Sequence, residues 1–124
     1  MRFANLELPD PSPSTSFVVL HIEEIGGNCY VEYDAWQGTE RVHLDFKRVI
    51  GARMDSYHSE CGAAPARIGE VIDSRWLARC VESQRRAYPR DPDTLAGIRH
   101  FFVKGHDVTV EVLAESVTLR QAPR

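Results

Sequence analysis

Apolar and polar side chains alternate with a period of two along most of this chain, and a helical period governs only one segment. Strand residues point alternately to opposite faces, so this pattern constrains the fold to a sheet carrying a single helix. The cleanest alternation runs from Cys29 to Trp36, where Tyr30, Glu32, Asp34 and Trp36 share one face and Val31, Tyr33 and Ala35 the other. Glu40 to Val49 repeats it, with Val42, Leu44 and Phe46 on one side and Arg41, His43, Asp45 and Lys47 on the other. Phe17 to Ile25 reads as a preceding strand. Gly26-Gly27-Asn28 tolerates positive φ and predicts a tight hairpin, and Gln37-Gly38-Thr39 predicts a second turn, which together make an antiparallel meander.

A short strand, Phe3 to Leu8, precedes a Pro/Ser-rich connector over 9–16, where proline removes ladder donors and favours an extended, solvated segment. Val49 to Met54 can either extend the third strand through a bulge at Gly51 or begin another. Tyr57 to Ala66 lacks a period and reads as loop. The helix spans roughly 74–87, with Asp73 or Ser74 as its cap and Trp76, Leu77, Cys80, Val81 and Gln84 as its apolar stripe; Pro89 ends it. Ile98 to Lys104, Asp107 to Ala114 and Val117 to Leu119 read as three further strands, with Gly105 and His106 at a hairpin tip. The expected fold is α+β, a predominantly antiparallel sheet forming a sandwich or half-barrel with one main helix, in a single domain over 1–124.

Several function classes are disfavoured. No apolar run approaches the roughly 20 residues that cross a bilayer, and the N-terminus lacks the apolar core of a secretory signal, so a soluble, cytoplasmic protein is expected. Three cysteines without paired C-x-x-C spacing suit reduced thiols. The closest approach to a metal motif is His58-x-x-Cys61, which has no second close pair to complete it. Cys61 or Cys80 could be drawn with His100 or His106 as a thiol–imidazole pair, but Cys80 falls on the helix stripe, Cys61 reads as exposed, and no nucleophile elbow surrounds either. No catalytic residue, metal or cofactor is assigned.

The formal charge of −3 is unevenly spread, with ten acids against five bases in residues 1–60 and eight against ten in 61–124. Arg75, Arg79, Arg85 and Arg86 gather on the helix with Arg90 just beyond it, Glu82 dilutes the field, and nucleic-acid contact is disfavoured. Glu23, Glu24, Glu32, Asp34, Glu40 and Asp45 lie against Arg41 alone in residues 17–46, an acidic surface suited to a basic protein partner. Glu23, Glu32, Asp34 and Trp36 are the expected contacts, Trp36 as an aromatic anchor. The alternative is a ligand-binding or enzymatic sheet domain with a pocket near Tyr30, Tyr33 and His100.

The run Gly97-Ile98-Arg99-His100-Phe101-Phe102-Val103, followed by His106-Asp107 and Val110-Glu111-Val112-Leu113-Ala114, resembles the closing segment of small bacterial immunity-type proteins that accompany polymorphic or contact-dependent toxins. Phe46-x-x-Val49-x-x-x-Arg53 is similar to a strand of those sequences, with Asp55 the nearest match to the acid that follows it there. The resemblance covers about a quarter of the chain. It implies a sheet-rich cytoplasmic protein that binds and blocks a toxin domain encoded nearby, and it carries over no catalytic residue.

Overall fold

The structure, a computed structural model, describes residues 2–12, 18–23, 27–36, 41–56 and 60–120. Two antiparallel sheets pack face to face without closing into a barrel, which selects the sandwich. The four-stranded sheet is built from β2 (Val18–Ile22), β3 (Cys29–Asp34), β4 (Arg41–Lys47) and β9 (Ser116–Arg120), in that spatial order. The five-stranded sheet runs β1 (Phe3–Asn5), β6 (Ile68–Val71), β7 (Arg99–Lys104), β8 (Val108–Ala114) and β5 (Gly51–Ser56). Helix α1 (Arg75–Ala87) and a 3-10 turn at Glu60–Ala63 are the remaining elements.

Val31, Tyr33, Val42, Leu44 and Phe46 from one sheet meet Ile68, Phe101, Val103, Val110, Val112 and Ala114 from the other, and this apolar layer excludes water. The alternation read from β3 and β4 is the alternation observed. Gly51 does not bulge the third strand. Arg48, at φ 54°, turns the chain out of β4, and β5 begins in the opposite sheet. A single residue, Glu115, carries β8 back to β9, and Arg48 Nη1 donates to Glu115 Oε2 at 3.0 Å, joining the two crossovers.

Three expectations need correction. Ile68–Val71, not anticipated as a strand, pairs with both β1 and β7, because its main-chain groups are buried between them and must find partners. The first strand stops at Asn5 rather than Leu8. The connector is not wholly solvated: Pro11 is buried and bridges Ala35, Trp36 N donates to Asp10 O and Ser12 N to Asp34 O. Residues 13–16 lie outside the described residues.

The helix forms where expected. Ser74 caps it, its oxygen accepting from Leu77 N at 3.0 Å, and Trp76, Leu77, Cys80, Val81 and Gln84 are its half-buried positions. No helix residue is fully buried, so α1 is a lightly packed cover on the outer face of the five-stranded sheet. No helix among the described residues is long and apolar enough to cross a membrane.

Candidate functional site

Two groups of polar side chains stand out, one on an outer face and one buried. The first lies on the outer face of the four-stranded sheet. The register places His21 opposite Tyr30 and Glu32 opposite His43. The rings of His21 and Tyr30 stack with centroids 4.6 Å apart, and those of Tyr30 and His43 at 4.5 Å, giving a three-ring ladder across β2, β3 and β4. Each His43 ring nitrogen lies 3.0 Å from a carboxylate oxygen, Nδ1 from Glu32 and Nε2 from Asp45. Arg41 stands 4.0 Å from Glu32 and 3.7 Å from Asp34.

This face is less acidic than its primary sequence. Lys47 shares the outward parity of β4, and β9, contributed from the far end of the chain, sets Arg120 beside His43. The three carboxylates of Glu32, Asp34 and Asp45 therefore share the face with the cations of Arg41, Lys47 and Arg120. Glu23 is exposed just beyond β2, while Glu24 and Glu40 lie outside the described residues. Trp36 does not continue the Tyr30–Glu32–Asp34 face. Strand pairing ends at Asp34, the chain turns, and the 46% exposed indole lines a cleft of about 640 Å³ with Leu6, Leu8, Pro9, Arg67 and Ile68.

The second group sits between the five-stranded sheet and its cover. Glu111 projects from the middle of β8 and His100 from near the start of β7, and neither reaches solvent. Glu111 Oε1 accepts from His100 Nε2 at 2.8 Å, from Cys61 Sγ at 3.2 Å and from Arg53 Nη2 at 3.1 Å. Arg53 Nε donates to Glu111 Oε2 at 2.9 Å and lies 3.1 Å from Asp55. Burial pushes the Glu111 carboxyl toward neutrality, but hydrogen bonds from His100, Arg53 and Cys61 hold the group well below the usual carboxylate range.

Local structure sets these side chains in place. Lys104 Nζ donates to Ala64 O at 2.9 Å and Gly62 O at 3.2 Å, holding the 3-10 turn over the sheet so that Cys61 points inward. Trp76 covers the group, with the Arg53 guanidinium 4.1 Å from its ring centre and the His100 ring edge-on at 5.4 Å. Ser74 Oγ lies 2.6 Å from His100 Nδ1.

Ser74, His100 and Glu111 thus form a hydrogen-bonded chain of the types found in acyl-transfer triads. A triad needs a serine oxygen open to a carbonyl carbon. Here Ser74 is 8% exposed and its oxygen already caps α1, so in this arrangement the chain is closed to such a carbonyl. The thiol reading changes as well: Cys61 is buried rather than exposed and its neighbour is a carboxylate. His58 lies outside the described residues. Tyr30, Tyr33 and His100, grouped above as a pocket, occupy three separate layers: the outer face of one sheet, the inter-sheet core and the far face of the other sheet.

Sequence reasoning places His100 and Glu111 in the resembling run, in structural roles, and does not join them to Arg53, Cys61 and Ser74. A signal was present, since Glu111 interrupts the apolar run Val110 to Ala114, and a charge inside a buried strand requires partners. Comparison with models of known protein families, with curated proteins and with solved structures returned no match for this chain.

Proposed function

We propose that this chain is a non-enzymatic binding protein of the immunity type, which neutralises a basic, toxin-like protein partner through the outer face of its four-stranded sheet. The observation that carries this reading is the ring ladder of His21, Tyr30 and His43, whose His43 end is held between Glu32 and Asp45. Side chains already held in place lose little entropy on docking, and a tyrosine ringed by charged groups has the composition of an interface hot spot. Glu23, Glu32 and Asp34 supply the complement for basic side chains, and Arg41 stands between the last two. Trp36 adds a separate aromatic contact beside its cleft. An enzyme is disfavoured because the best-formed triad of polar groups is closed to substrate. On this reading the protein acts in the cytoplasm, and its partner is encoded nearby.

The test is co-expression with the product of the adjacent gene, followed by size-exclusion chromatography and titration calorimetry. A stoichiometric complex is expected. Tyr30→Ala should weaken it by about 2 kcal/mol, the scale of a hot spot. Glu32→Arg with Asp34→Arg should weaken it more at low salt than at high salt. Failure of the adjacent product to bind removes the reading, and binding indifferent to all three substitutions removes the surface assignment.

A further inference from the structure

We propose that Cys61, His100 and Glu111 form a binding site for a zinc-type divalent cation. Thiolate, imidazole and carboxylate are the donor set of a borderline-soft ion, and the three donor atoms lie within 4.8 Å of one another. Ligands around a tetrahedral zinc stand about 3.3–3.8 Å apart. The two shortest separations, 2.8 Å and 3.2 Å, therefore widen only slightly to admit it.

The focus is a single atom. Glu111 Oε1 takes hydrogen from Cys61, His100 and Arg53 together, and a cation substitutes for the first two. The protons balance as follows. Ser74 Oγ accepts from Leu77 N, which leaves its own hydroxyl hydrogen for His100 Nδ1 and the ring hydrogen on Nε2 facing Glu111. On binding, His100 carries its one ring hydrogen on Nδ1 instead, donating it in a hydrogen bond to Ser74 Oγ while the serine keeps its own hydrogen and turns it away, and the Nε2 lone pair is freed. Cys61 releases one proton to solvent. Ser74 then plays the orienting part that a second hydrogen-bond partner plays for metal-bound histidines.

Charge supports the ion. With Cys61 as a thiol, Arg53, Asp55 and Glu111 leave the cluster at minus one. A divalent cation and a thiolate bring it to neutral, the favoured state where all three ligands are completely hidden from water. Entry does not require disruption of the sheets. Arg53 is about one-third exposed beside the site, and the covering helix has no fully buried residue.

The experiment uses the whole chain, reduced and freed of metal by chelation, titrated with cobalt(II) and zinc(II). Expected are one equivalent bound, a thiolate-to-cobalt charge-transfer band, and a rise in Tm with zinc of at least about 5 °C. The band should persist in the Cys29→Ser, Cys80→Ser double variant and vanish in Cys61→Ser. Should Cys61→Ser not fold, X-ray absorption on the zinc-loaded double variant decides, one sulfur at about 2.3 Å with nitrogen or oxygen neighbours being expected. Absence of stoichiometric binding, a sulfur-free first shell, or a band that survives in Cys61→Ser overturns the proposal.

Discussion

His100 Nε2 meets Glu111 Oε1 at 2.8 Å between two neighbouring strands, and both side chains are completely shielded from water. Their Cα partners are offset, since His100 stands opposite Leu113 and Glu111 opposite Phe102, so the contact is diagonal across one face of the sheet. Everything covering that face, from Cys61 to Trp76, is arranged around this pair.

Glu111→Ala should cost about 3–5 kcal/mol, because it strips the buried end of Arg53 and leaves His100 without an acceptor. Glu111→Gln keeps an acceptor oxygen and should cost less. Urea unfolding followed by tryptophan fluorescence measures both, and equal losses would show that the negative charge, not the acceptor oxygen, carries the whole effect.

Acid should weaken the fold through the same residue. Its carboxyl is held below the ordinary value of 4.5, so its contribution is complete above that value and is lost as pH falls through the lower folded-state value. Stability measured from pH 5 downward should therefore decline more steeply in the wild-type protein than in Glu111→Gln. Parallel curves would place the acid sensitivity elsewhere.

Cys29 should resist thiol reagents in the native state. Burial, reinforced by the nearby Asp45 charge, pushes its thiol from 9.0 up to about 12. The raised value stabilises the fold below pH 9 and is lost as pH rises toward 12, when the unfolded chain gains by ionising. Cys80, half-buried on the helix, should react first with a disulfide reagent at pH 8, whereas Cys29 and Cys61 should react only on unfolding. Three equally fast thiols would contradict the packing.

Gly69→Ala should loosen the edge of the five-stranded sheet. A Cβ there would lie 2.7 Å from Ala4 O and 2.8 Å from the Phe102 ring, and the former is backbone that cannot swing aside. The expected cost is about 1–3 kcal/mol, with faster amide exchange in β1 than in β8. Uniform exchange across the sheet would refute a local effect.

Strand and helix faces were legible because each meets water on one side only. Val31 and Tyr33, or Val42, Leu44 and Phe46, show the alternation in the bare chain, and Trp76, Leu77, Cys80, Val81 and Gln84 show the helical stripe. β6 escaped notice because it is only four residues long, with Gly69 inside it and mostly buried side chains. The mixed charge of the outer face was hidden for a different reason: Arg120 is distant in sequence and comes beside His43 only through β9.

By itself, then, the sequence determined which segments extend, which one coils and which faces avoid water, since these follow from local periodicity and turn chemistry. Only the tertiary structure decided that β4 and β5 belong to different sheets, that β9 returns to set Arg120 beside His43, and that Cys61 bonds Glu111 fifty positions away. Such contacts depend on how two whole sheets and a helix stack. A burial pattern records that a residue is covered, but not which distant residue covers it.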